Sequence, residues 1–124
     1  MSKNFVIPFV VYSNHSVMVS FGETDSHLFP KMRRHGIPGK DCDLVSFYNP
    51  NCHGKAAIFD TNHMVLRMRC LPKTNEDYAH LQHEIFHIVA YLMDRIGLKL
   101  SVRKSDEAYA YLIQYLTHEI YKKL

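Results

Sequence analysis

Residues 81–93 read LQHEIFHIVAYLM. Placed on a helix, the stretch is apolar on almost every side, which predicts burial. Its middle nevertheless carries His83, Glu84 and His87. Imidazole and carboxylate groups are costly to bury unless they are paired, so something must satisfy them. His83 and His87 are four residues apart. On a helix that places both imidazoles on one face, a turn apart, close enough to share one metal ion. Neutral imidazole is a common zinc ligand. Glu84 is rotated off that line and can reach a metal-bound water without binding the metal itself. His-Glu-x-x-His on a helix is the signature of zinc-dependent hydrolases. In that chemistry the ion acidifies its water and polarises the substrate carbonyl, and the Glu moves the water's proton to the leaving amine. The competing reading is two satisfied core histidines and a surface Glu, which leaves several polar atoms needing partners at once.

The helix that carries the motif has clear ends. Pro72 blocks continuation from upstream, Thr74 is an N-cap with Asp77 three residues later, and Gly97 is a stop. These signals predict a helix over 75–96. A second helix opens with Ser105 as cap and Asp106 and Glu107 in its first turn, and closes on Lys122 and Lys123. Upstream, the Val/Phe/Tyr-rich segments 5–12 and 16–22 flank the turn-like Ser13-Asn14-His15 and read as a hairpin. Residues 25–35 suit a short helix, with Pro30 acceptable only near its start. Segment 36–55 is rich in Gly and Pro, with a short strand expected at 44–48. AAIFD (56–60) and MVLRMR (64–69) read as a second hairpin, the latter with one greasy and one mixed side. Strands first and two helices last predict an α+β domain spanning 1–124.

A zinc site needs a third protein ligand and an open fourth position. His80 tempts, but it lies seven residues from His87, about 10 Å along one axis, and one straight helix cannot easily deliver all three, so the third ligand is expected from elsewhere. The connector 98–105 can span up to about 26 Å if extended, enough to return the chain to the level of His87. Glu107 then becomes the expected third ligand. Asp106, with its shorter arm, suits a capping or outer-sphere role. His118 is eleven residues beyond Glu107, about 16 Å along the helix, and cannot share the same coordination sphere. Donors for a developing oxyanion could come from Tyr111, Tyr109, His118 or Arg67.

LQHEIFHIVAYLMDRIGLKL followed by SDEAYAYLIQYL resembles zincin-like metallopeptidases of the gluzincin type, in which His-Glu-x-x-His is completed by a Glu on the next helix. The likeness is nearest to compact zinc metallopeptidases encoded in phages and prophages, and more distant to the ImmA/IrrE-type peptidases that cut repressors. It covers mainly residues 56–124. It implies a minimal zincin-like α+β fold: a small, twisted, mainly antiparallel sheet packed on the central motif helix and a C-terminal helix. One edge strand, 56–60 or 64–69, would pair with an extended peptide. It also implies one zinc ion held by His83, His87 and Glu107, with Glu84 as general base, and a peptide or protein as substrate. Larger gluzincins place an Asp four residues after the ligand Glu. Here that position is Tyr111, so Asp106 or a tyrosine hydroxyl would have to orient the ligands instead.

Composition sets the boundaries of this reading. A chain of 124 residues, 47% hydrophobic and 22% charged, suits one soluble domain. The net charge of +3 is small, and the cluster Lys31, Arg33, Arg34, His35 lacks interleaved aromatics, so neither nucleic acid nor membrane is expected as a partner. The N-terminal MSKNFVIPFVVYS reads as a strand rather than a signal peptide. Three cysteines without paired spacing suit a reducing cytoplasm, that of a bacterial host if the chain is phage-encoded. Cys42 invites comparison with peptide deformylases, whose third ligand is an upstream cysteine, but its Lys-Asp-Cys-Asp flanks do not match. A zincin fold kept only as a zinc-stabilised binding or regulatory module is the alternative function.

Overall fold

The computed structural model describes residues 1–12 and 14–124. It is an α+β structure with helices on both faces of a four-stranded mixed sheet. The strands are β1 (Lys3–Pro8), β2 (Ser16–Phe21), β3 (Gly54–Ile58) and β4 (His63–Met68). The helices are α1 (Asp25–His35), α2 (Asn75–Arg95) and α3 (Asp106–Tyr121), with a 3-10 turn at Gly39–Val45. The sheet order is β1-β2-β4-β3. Both expected hairpins are antiparallel, with Phe5 opposite Val19 and Ala56 opposite Leu66. They join through a parallel β2–β4 pair that sets Val19 beside Leu66. The Ser13 of the expected first turn lies outside the described residues. On either side of it, Phe9 N–H donates to His15 C=O and His15 N–H donates to Tyr12 C=O. β1 stops at Pro8, which has no N–H to give.

The alternation read in 64–69 assigns the two faces. Met64, Leu66 and Met68 join Val17, Val19 and Phe21 in a core built against α2 and α3. Val65 and Met18 face the other way, onto Leu28, Met32, Ile37, Cys42 and Val45 of α1 and the 3-10 turn. The strand expected at 44–48 is therefore absent. Cys42 and Val45 are three residues apart, and a 3-10 turn stacks i and i+3 on one side, so both are buried against the sheet.

Helix α1 runs through Pro30. Pro30 stands past the first turn, deeper in the helix than the sequence reading allowed, and removes the one bond to Ser26 C=O. Thr24 caps the N-terminus by accepting from His27 N–H, and the left-handed Gly36 (φ 109°) closes the C-terminus. Helix α2 starts with a full capping box between Thr74 and Asp77. Its buried face is Leu81, Ile85, Ile88, Val89, Leu92 and Met93. Among the described residues, no helix is long and apolar enough to cross a membrane.

Arg67 points to the α1 face of the sheet, away from α2. It is only 2% exposed. Its guanidinium donates to Val45 C=O and Glu23 C=O, both at 2.8 Å, and pairs with Asp25 at 2.7 Å. Phe47 lies against the guanidiniums of both Arg67 and Arg69, each 4.4 Å from the ring centroid. Arg67 thus ties three chain segments to the sheet. Truncation leaves buried carbonyls without donors, each costing about 1–3 kcal/mol. Arg67→Ala is expected to destabilise the fold by about 3 kcal/mol or more, read as a lower midpoint in urea unfolding.

Candidate functional site

The rotation of α2 decides which side chains meet. With Leu81, Ile85 and Leu92 turned into the core, His83 and His87 fall on the outer face of the helix, and Glu84 falls on the flank beneath β3. The two imidazoles stand with Nε2 atoms 3.1 Å apart. Two nitrogens bound to one tetrahedral zinc at about 2.0–2.1 Å lie roughly 3.3 Å from each other. The pair therefore has ligand spacing. Tyr91, one turn further on, stacks on the His87 ring at 5.9 Å.

Glu84 is 9% exposed. Burial pushes its carboxyl above the ordinary carboxylate value, against the opposing charges of His87, His83, Lys55 and His80. Its methylene chain rests on Gly54 at the start of β3. A Cβ at position 54 would stand 2.7 Å from Met68 Sδ, 2.9 Å from Glu84 Cγ and 3.2 Å from Arg67 O. Only glycine admits the carboxylate there. Sequence reading missed Gly54, because nothing in its neighbours showed which strand would cross Glu84. It also missed His53, which stacks on His80 with centroids 4.1 Å apart.

β3 is one of the two edge strands of the sheet, the one that lies over α2. Of the two segments expected to form the edge, 56–60 holds that place, and 64–69 is interior. Phe59 N–H donates to His63 C=O and Arg69 N–H to His53 C=O. By the alternation of an antiparallel ladder, Gly54, Ala56 and Ile58 then turn their backbone groups outward. The Cys52 thiol takes the Gly54 carbonyl, at 3.0 Å.

The structure does not bring Glu107 to the imidazoles. α3 returns antiparallel to α2: Gln82 donates to Thr117 Oγ1 at 3.2 Å and Tyr121 OH at 3.1 Å, and Tyr109 OH donates to Leu98 C=O at 2.6 Å. Glu107 is about 15 Å along α3 from Thr117, whereas His87 is about 7.5 Å along α2 from Gln82. The two are offset along the helices by roughly 7 Å, and Glu107 is exposed. The extended connector needed to cancel that offset does not form. Residues 99–106 curl instead: Ser105 Oγ donates to Lys99 C=O and accepts from Ser101 N–H, and Asp106 accepts from Arg103 N–H. Ser105 occupies the N-cap position without capping through its side chain. Asp106 accepts from Arg103 N–H, which lies ahead of the helix, so this bond fixes the connector and does not cap α3. Among the described residues, no three His, Cys, Asp or Glu side chains stand together as a metal site.

The expected oxyanion donors are scattered. Arg67 is on the opposite face of the sheet, and the Tyr109 hydroxyl is spent on Leu98. Tyr111, 67% exposed, borders an apolar groove of about 300 Å³ with Phe9, Tyr12, Met93 and Leu112. His118 is exposed on α3. The site as built is thus a bis-imidazole pair, a buried carboxyl and a free strand edge. Comparison of the chain with protein-family models, with curated proteins and with solved structures gives no match.

The raised pKa of Glu84 has a defined sign. The folded metal-free protein holds this proton more tightly than the unfolded chain does. Its contribution is therefore fully present below the ordinary carboxylate value of 4.5 and is lost as pH rises from there through the raised value of the folded state. Metal-free Glu84→Gln is expected to melt with wild type at acid pH and above it at neutral pH, as followed by circular dichroism.

Proposed function

We propose that the chain is a zinc-dependent peptidase of the His-Glu-x-x-His type, a minimal zincin-like domain acting on a peptide or protein in the cytoplasm of a bacterial cell. The observation that carries the reading is the imidazole pair at 3.1 Å with Glu84 buried beside it under the free edge of β3. When bound, zinc would polarise the scissile carbonyl and acidify a water. The chain's own residues account for the rest. His83 and His87 hold the ion. The Glu84 carboxylate takes a proton from water and delivers it to the leaving nitrogen. A peptide laid along β3 would pair with the outward backbone groups of Ala56 and Ile58. Glu107 is the ligand that the family resemblance expects as third.

A second reading is favoured by one observation: among the described residues the donor set stops at two imidazoles. On that reading the domain keeps the zincin arrangement as a zinc-stabilised binding or regulatory module without turnover, and chelation loosens its fold.

Two measurements separate these readings. On the peptidase reading, Glu84→Gln keeps its zinc and loses cleavage of a peptide library by at least a hundredfold; unchanged cleavage contradicts the role of Glu84. Metal analysis of protein purified without added metal is the other. Glu107→Ala and His83→Ala both lose zinc if Glu107 closes the site, whereas only His83→Ala loses it on the second reading.

A further inference from the structure

The outer face of α2 carries a second pattern. Ala79, His83, Phe86 and Ala90 follow one another at spacings of four, three and four, which is the seam spacing of a helix packed against another helix. Ala79 and His83 are exposed, and Phe86 is 43% exposed in the middle of the longest helix. The sheet occupies the opposite side of α2, and α3 packs along the flank of Gln82. The small residues at either end of the line permit a close helix approach. Its charged neighbours, Glu76 and Asp94, sit beyond those ends.

His83 belongs to this seam, and His87, half-buried and stacked on Tyr91, borders it on one side. Zinc in a closed protein site takes four donors in a tetrahedron. One copy of the chain offers two, at ligand spacing, with no third nearby among the described residues. A two-fold axis doubles a surface onto itself. Set α2 against α2 across such an axis and four imidazoles converge on one point, while each Phe86 gains an apolar cover. We propose that the chain forms a zinc-bridged homodimer through α2, with His83 and His87 of both copies around a single ion on the axis. The inference rests on the part of the functional reading in which this pair holds a divalent ion, and is independent of hydrolysis. Four protein ligands leave no open position, so the bridged dimer is a closed, non-hydrolysing form, and any hydrolysis belongs to the monomer. Zinc and chain concentration would then set how much of the protein can turn over.

The test is sedimentation velocity on the full chain, stripped of metal and titrated with zinc chloride, with bound zinc measured in parallel. The expected result is a monomer without metal, a dimer holding one zinc per two chains, and return to monomer with chelator. His83→Ala should remain monomeric at every zinc concentration. Phe86→Glu, at an exposed position, should keep a metal-free circular dichroism spectrum like wild type and weaken dimerisation at least tenfold. Glu84→Gln should dimerise like wild type whatever its effect on cleavage, which separates this proposal from the peptidase reading. A monomer that binds one zinc per chain overturns the dimer and leaves the paired ligands standing. Absence of zinc uptake overturns both. A dimer indifferent to zinc and to His83→Ala overturns the bridge.

Discussion

The packing of Leu81, Ile85, Ile88, Val89 and Leu92 against the sheet fixes the azimuth of α2, and the rest of the site follows from that angle. At 100° per residue, once five apolar positions are committed to the core, no freedom remains for His83, Glu84 and His87. Glu84 must lie beneath β3, and His83 and His87 must face outward. The apparent conflict in LQHEIFHIVAYLM is thus resolved by geometry. His83 is exposed, His87 and Gln82 are only half-buried, and Glu84 is buried where a glycine makes room for it.

Arg67 does for the opposite face what the apolar stripe of α2 does for the first. β4 is covered on both sides, and a charge in such a strand is costly unless its donors are used. The guanidinium spends its two terminal nitrogens on Glu23, Asp25 and Val45 and leaves its Nε–H buried without a partner, while Phe47 is held between Arg67 and Arg69. The loop that these arginines anchor leads directly into His53, Gly54 and the edge strand. The cradle of Glu84 is therefore held from both faces of the sheet. The packing that positions the carboxyl is continuous with the packing that closes the second core.

What the sequence made legible was whatever is decided locally. The capping box at Thr74–Asp77, the alternation from Met64 to Arg69 and the four-residue spacing of His83 and His87 each depend on a few neighbouring residues, and each is found in the structure. What it hid depends on distant chain. The fate of Glu107 turned on whether residues 98–105 would extend or curl, and the Ser105 hydroxyl decided that by bonding back to Lys99 and Ser101. Arg67 looked available for chemistry because its partners lie up to 44 residues away. Gly54 gave no signal because its importance comes from the Glu84 methylene that touches it. The expected strand at 44–48 failed for a different reason: an apolar repeat of three within a Pro/Gly-bounded segment satisfied the same sheet face by a tighter turn.

The parallel pairing of β2 with β4 carries a consequence for biogenesis. During synthesis the N-terminal hairpin precedes β4, and its inner strand, with Val17, Val19 and Phe21 on one side and Met18 on the other, has no partner on its inner edge until the stretch around Leu66 has left the ribosome. Until then the nascent chain presents a bare, greasy ribbon on which any other extended polypeptide could zip. α1 and the 3-10 turn, made in the interval, can shield only one of its sides. The yield of this small protein in a cell should therefore depend on how fast the middle third of the chain is translated.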